Sequence, residues 1–276
     1  MVSPMRNASG APIITLLTDF GSADAYVAAM KGVILGICPD ARIVDITHEV
    51  PKFDVRWGAF LLSQAAPHFP SGTIHVAVVD PGVGTARRPI IVEAERCLYV
   101  GPDNGVLMLA AMQEGVKHVY IIEDRRYMLP RVSRTFHGRD IFAPAAAHLA
   151  LGVKPSEFGR EIRDYVTPNF ASPRVEGNAI VGEVIHVDGF GNIITNISEE
   201  HLNQLGIRDG DSLEVWIGGR RHRIKLCSAY GEAPVGATLA VLGNSDLLEV
   251  SINQGNAART LGATVGMEVR VAPSSG

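Results

Sequence analysis

Between Ile13 and Ala150 short runs rich in Val and Ile alternate with longer stretches of helical periodicity, an order that few architectures accept. The runs Ile13–Leu17, Arg42–Ile46, Thr73–Val79, Ile90–Glu93 and His118–Ile122 have the length and β-branched content of buried strands. Between them, Asp24–Ile37 sets Val27, Met30, Val33, Ile34 and Ile37 near helical spacing. Asp54–Ala66 and Arg139–Leu149 also read as helices, the second interrupted by Pro144. Strand and helix in alternation predict an α/β domain with a mostly parallel sheet.

The pattern changes after Tyr165. The stretch Thr167–Gly177 carries two prolines among small polar residues, as linkers do. Beyond it come short runs bounded by Gly and Asp: Ile180–Val187, Ser212–Ile217, Arg221–Leu226, Thr238–Leu242 and Leu247–Ile252. This spacing predicts a smaller antiparallel β domain. The expected division is residues 11–166 for the α/β domain, 167–178 for the linker and 179–272 for the β domain.

The formal net charge of −4 provides no general basic surface for nucleic acid or anionic membrane. The longest basic cluster, Arg220–Arg221–His222–Arg223, reads as a solvated hairpin. Cys38, Cys97 and Cys227 are an odd number of widely spaced thiols with apolar neighbours, which argues against a disulfide framework or a cysteine zinc site. Residues 1–12 have neither the basic start nor the apolar run of a signal peptide, and no stretch approaches the ~20 apolar residues of a membrane span. A cytoplasmic location is expected.

Two carboxylates stand out by position. Asp19 follows the run IITLLT, and Asp80 follows TIHVAVV and opens Pro81–Gly82–Val83–Gly84. Ligands of open α/β sheets bind beyond the carboxyl ends of the strands, so both acids would face one cleft if their strands are neighbours. Taken singly, each Asp is as well explained as a turn or helix cap. The glycines after Asp80 lack the third member of a dinucleotide fingerprint. The chain also lacks a phosphate-binding G-x-x-x-x-G-K-[ST] loop, a G-x-S-x-G elbow and an H-E-x-x-H zinc motif. Arg87, Arg88 and the segment Thr135–Phe136–His137–Gly138 remain, with His137 a candidate acid, base or orienting group. Spacing alone does not join His137 to Asp80.

The motifs TDFGSADAYV from Thr18, VDPGVGTARR from Val79, GPDNGV from Gly101, TFHGRD from Thr135, VDGFGNIITNI from Val187 and NS…NQGNAA from Asn244 run in order through almost the whole chain. Together they resemble the S-adenosylmethionine hydroxide adenosyltransferases, hydrolytic relatives of the enzymes that make fluorinated and chlorinated adenosines. The resemblance implies an N-terminal α/β domain, a C-terminal β domain, and a homotrimer with sites between subunits. It also implies hydrolysis of S-adenosylmethionine at C5′ to adenosine and methionine, with no metal or other cofactor. Halogenating relatives carry aromatic hydroxyls at the positions matching Asp80 and His137, whereas the hydroxide-using branch carries Asp and His, completed by the Arg that matches Arg87. This sequence has all three.

That trio suits the reaction. The sulfonium leaves without acid assistance, so the difficulty is a nucleophile, because bulk water has a pKa of about 15.7. Asp80, Arg87 and His137 would hold one water in line with C5′; either Asp80 or His137 would take its proton, and Arg87, always cationic, would stabilise hydroxide character. The resemblance further implies that Asp19 bridges the ribose hydroxyls, Phe53 walls the sugar, Asn192 pairs with the adenine edge, and Phe190 and Tyr230 flank the base. Asp188 would meet the methionine ammonium and Ser245 its carboxylate; Glu249 matches a family position near the ligand, and Ala257 is also a substrate-binding candidate. Gly189–Asn192 also fits a plain hairpin turn. Asp246 departs from halogenating relatives, some of which carry an Arg there for the methionine carboxylate. Three rivals remain: a halogenase, in which Asp80 would repel the halide; a silent S-adenosylmethionine or adenosine sensor, which has no need of the trio; and a metal phosphoesterase, for which clustered ligands are lacking.

Overall fold

A computed structural model describes residues 10–168, 173–243 and 246–274. The chain forms two compact units, Met1–Pro168 and Asn169–Gly276. The first carries β1 (Ile13–Thr18), α1 (Tyr26–Ile37), β2 (Arg42–Thr47), α2 (Val55–Ala65), β3 (Ile74–Val78), β4 (Pro89–Ala94), β5 (Leu98–Pro102), α3 (Met108–Glu114), β6 (Val116–Ile121) and α4 (Ala143–Ala150). Its strands lie in the order β2-β1-β3-β5-β4-β6. Only β4 runs against the others, so the sheet is mostly parallel, as expected.

Strand periodicity divides the core between the two faces of the sheet. Ile14 and Leu16 of β1 and Ile74, Val76 and Val78 of β3 pack with Met30 and Ile34 of α1 and with the alanines of α4. Leu17, Ala77 and Val79 belong to the other cluster, with Leu62 of α2 and Met108 and Ala111 of α3. Each such Leu or Ile contributes roughly 1.5–3 kcal/mol on burial. α2 starts where the Asp54 carboxylate accepts the Trp57 amide at 2.9 Å. The helix expected over Arg139–Leu149 is irregular at its start: a π-helical turn, Gly138–Phe142, leads into α4. Pro144 sits in the first turn of α4, where its missing N–H has no intrahelical partner to lose.

The second unit carries β7 (Arg174–Glu176), β8 (Ala179–Val187), β9 (Ile193–Ser198), α5 (Glu199–Gln204), β10 (Ser212–Ile217), β11 (Arg220–Cys227), β12 (Thr238–Leu242), β13 (Leu247–Ile252), α6 (Ala257–Leu261) and β14 (Glu268–Pro273). The order is β14-β10-β11-β12-β13-β9-β8-β7, and β14 also pairs with β8, closing a barrel. All pairings are antiparallel except β11–β12. β7 lies in the stretch read from sequence as linker, of which 169–172 fall outside the described residues. Cys38, Cys97 and Cys227 are buried free thiols. The basic run Arg220–Arg223 forms one arm of the β10–β11 hairpin, where Arg221 pairs with Glu214.

Candidate active site

β1 and β3 are parallel neighbours, with Thr18 opposite Val78. Asp19 and Asp80 therefore emerge at the same carboxyl end of the sheet. A cavity of about 320 Å³ opens there, lined by Asp19, Phe53, Asp80 and His137 among others, a size in the usual range for ligand sites.

Asp80 and Arg87 form a nearly buried ion pair, their side chains 5% and 7% exposed. The guanidinium is bidentate: Nε donates to Oδ1 at 3.1 Å, and Nη2 donates to Oδ2. Nη2 also lies 3.0 Å from His137 Nδ1. Arginine only donates, so Nδ1 is the acceptor and the neutral imidazole carries its proton on Nε2. Burial and the Arg87 charge push the His137 pKa below its ordinary value of 6.5, against the opposing pull of Asp80 and Asp140. Arg87 Nη1 is buried with no hydrogen-bond partner among the described residues, a donor able to take an oxygen of water or hydroxide. Asp80, Arg87 and His137 thus form one connected cluster, although spacing alone did not join them.

Local structure explains the convergence. Arg87 and Arg88 precede β4 and diverge: Arg87 turns to Asp80, with its guanidinium 5.4 Å from the Phe142 ring centroid, whereas Arg88 binds Asp103 and Asp164. His137 stands at the entrance of the π-helical turn, and such turns widen a helix locally and often carry functional side chains. Gly138 sits in a close contact there. A Cβ at that position would lie 3.2 Å from Met30 Sδ and 3.3 Å from the Phe20 ring.

Asp19 is 5% exposed. Its Oδ2 accepts the Phe53 amide at 2.8 Å, and Lys52 Nζ donates to its backbone carbonyl. Phe53 adopts φ +66 and its side chain is 67% exposed, a left-handed conformation that non-glycine residues rarely hold without a structural reason. Here that conformation turns the Phe53 amide to the Asp19 carboxylate, and both residues line the cavity. The cavity also contains residues not singled out from sequence: Asp24, Tyr26, Lys52 and Phe136. Phe20, Tyr26 and Phe136 pack against one another in tilted and edge-to-face contacts, with centroids 5.2–5.8 Å apart. Their signal was present in the motifs from Thr18 and Thr135, but aromatics in such runs look like core until the fold leaves one side of them open.

In the second unit the turn after β8 gathers the other candidates. Asp188 Oδ1 accepts the amides of Phe190 and Asn192, each at 2.9 Å, and Oδ2 accepts the Asn192 carboxamide at 2.9 Å. Asp188 therefore builds the turn and orients Asn192, whose carboxamide oxygen is not used in these bonds. Gly191, at φ +87, passes so close to Asn256 that a Cβ would fall 2.2 Å from its side chain. The turn docks on α6 there, through the Ala258 amide and the Gly191 carbonyl at 2.9 Å, and Ala257 is fully buried beside it. Phe190 is 81% exposed. Tyr230 donates to Glu249 Oε2 at 2.7 Å. Burial raises the Glu249 pKa and Asp188 adds to the rise, opposed by the Tyr230 hydrogen bond. Ser245 lies outside the described residues; Asp246 holds a left-handed φ of 56 beside it. Among the described residues no group of three or more His, Cys, Asp or Glu side chains is placed to hold a metal ion.

Residues 14–159 match the SAM hydroxide adenosyltransferase N-terminal domain and residues 182–270 the corresponding C-terminal domain. The chain belongs to this family. An (R)-S-adenosyl-L-methionine hydrolase of Thermus thermophilus is 40% identical over 94% of this chain and 98% of its own. A fluorinase of an Actinoplanes species is 30% identical over 77% of this chain and 80% of its own. Among solved structures, an uncharacterized conserved protein of Thermotoga maritima superposes with a TM-score of 0.87 at 38% identity, covering 94% of this chain and 99% of the other. Both halves of the family architecture, the α/β domain and the β barrel, are thus accounted for in one chain.

Proposed function

We propose that the protein hydrolyses S-adenosyl-L-methionine at C5′ to adenosine and L-methionine, as its hydrolase relatives are named for doing. The observation that carries this reading is the connected Asp80–Arg87–His137 cluster at the wall of the cavity. The His137 Nδ1 lone pair is taken by Arg87, so we assign the water proton to Asp80. Each Asp80 oxygen keeps a second lone pair after its bond to Arg87, and Arg87 Nη1 is free to bind the developing hydroxide. Attack at C5′ forms the C–O bond as the C–S bond breaks, and its electron pair neutralises the sulfonium as methionine leaves. A halide in place of this water would meet the Asp80 carboxylate, which disfavours the halogenase reading.

The supporting roles follow as proposals. Asp19 accepts from the two ribose hydroxyls, Phe53 covers the sugar, and Asn192 meets the adenine edge between Phe190 and Tyr230. Asp188 and Ser245 belong to the methionine side, and Glu249 and Ala257 lie near the ligand. We propose further that the reaction needs no metal, that the enzyme is cytoplasmic, consistent with its three free thiols, and that it works as a homotrimer.

Incubation with S-adenosylmethionine in the presence of chelator is expected to release adenosine and methionine at equal rates. In oxygen-labelled water the label should enter the adenosine 5′-hydroxyl. Loss of activity on chelation, or adenosine without label, would exclude a metal-free water mechanism.

A pH profile tests the tautomer. Protonation of His137 at Nδ1 would turn an acceptor into a donor facing Arg87 and break the cluster. Its pKa lies below 6.5 because burial and Arg87 disfavour the imidazolium. The neutral, competent form therefore persists as pH falls past 6.5 and is lost only at lower pH. The acid limb of kcat should have its midpoint below 6.5; a midpoint at or above that value would contradict the assignment.

A further inference from the structure

A chain of four side chains outside the reactive cluster ends directly behind Asp19. His48 Nδ1 lies 2.9 Å from Thr18 Oγ1, and His48 Nε2 lies 3.1 Å from Asp45 Oδ1. Asp45 Oδ2 in turn accepts from Lys31 Nζ at 2.6 Å. Thr18 Oγ1 accepts the Phe20 amide at 3.2 Å and shares one proton with His48 Nδ1, while Nε2 faces the Asp45 carboxylate. Burial raises the Asp45 pKa, but the contacts with Lys31 and His48 outweigh it, so Asp45 stays ionised.

The backbone adds a second grip. The His48 carbonyl accepts the Gly21 amide at 2.7 Å, and the Val50 amide reaches the Thr18 carbonyl at 3.4 Å. His48 therefore holds Thr18 through its ring and Gly21 through its carbonyl, the two residues that bracket Asp19 and Phe20. Thr18 is fully buried, the imidazole is 11% exposed, and neither is among the residues that line the cavity. An apolar side chain would fill the Thr18 site without the cost of burying a hydroxyl and an imidazole. What the polar pair adds is direction: a ring bonded to Thr18 at Nδ1 and facing the Asp45 carboxylate across 3.1 Å at Nε2 fixes the angle at which the turn leaves β1.

We infer that Lys31–Asp45–His48–Thr18 is a positioning relay that sets the Asp19 carboxylate toward the cavity, with His48 as its central positioning residue. The inference rests on the reading of Asp19 as the acceptor of the sugar hydroxyls, and its test separates the two.

Hydrogen exchange of the ligand-free protein reads the relay without any substrate. His48→Ala and Thr18→Val should each speed exchange of the 18–22 segment by about tenfold, while Thr18→Ser, which restores the hydroxyl, keeps the parent rate. Adenosine titrations then read the consequence. His48→Ala should weaken adenosine about tenfold in the parent and leave the residual affinity of Asp19→Ala unchanged within about twofold, because it acts only through that carboxylate. Unaltered exchange in both variants, or an equal loss of affinity with and without Asp19, would overturn the relay. If Asp19→Ala binds adenosine as the parent does while exchange still responds, the sugar-binding reading falls and the relay stands.

Discussion

Asp80→Asn is expected to lower kcat for S-adenosylmethionine by about 10²–10⁴-fold, the usual contribution of a positioned proton acceptor. Adenosine affinity should stay within about threefold, because the substitution removes an interaction made with the nucleophile and not with the bound nucleoside. Asparagine keeps the volume of aspartate and replaces one acceptor oxygen with a donor. It can neither take the water proton nor sustain the bidentate pair with Arg87. A companion His137→Ala variant should lose less, because His137 is assigned to holding Arg87 at 3.0 Å and not to receiving the proton. Steady-state kinetics beside calorimetric titration of adenosine separate the two quantities. An Asp80→Asn enzyme within a few-fold of the parent kcat would remove Asp80 from the mechanism, and a larger loss in His137→Ala would move the acceptor role to the histidine. With chloride replacing an inert anion, the parent enzyme should form no chlorinated adenosine.

The sheet and its site end were legible because they depend on local pattern. β-branched runs ending in Asp19 and Asp80 gave the strands and the shared cleft, and parallel pairing of β1 with β3 is what turns two separate caps into one site. Elements without such a pattern were missed. β5, LYVGP, ends in Gly-Pro and reads as loop, yet sheet pairing on both sides buries it. β9 directly follows the Gly189–Asn192 turn and was not among the expected strands. The link from Arg87 to His137 spans 50 residues and depends on a π-helical turn, which has no simple sequence period. The double role of Asp188 was also not legible: Gly189–Asn192 reads as a plain hairpin turn, whereas both carboxylate oxygens of Asp188 are committed to Phe190 and Asn192. Long-range hydrogen bonds such as that between Arg87 and His137 are decided by tertiary packing, and they determine which of several plausible polar residues become chemical.

The assembly yields the other large effect. Asp19, Asp80, Arg87 and His137 belong to the first unit, and Phe190, Asn192 and Tyr230 to the second. One molecule of S-adenosylmethionine presents a sugar and reacting carbon suited to the first set and a base suited to the other, and the family resemblance implies that the two sets come from neighbouring subunits of the proposed trimer. Asp80→Ala and Asn192→Ala chains, each nearly inactive alone, can then be unfolded together and reassembled. In a cyclic trimer with shared sites, any mixed ring contains one site in which an intact first unit faces an intact second unit. Random equal mixing makes about three trimers in four mixed, each with one good site in three, so about a quarter of the parent activity should return. Sites built within single chains leave every site with one defect at any mixing ratio, and activity stays at the level of the separate variants. Native mass measurement of the mixed oligomers confirms that exchange took place. Mixed trimers seen by mass, with no recovered turnover, would show that each chain carries its own complete site.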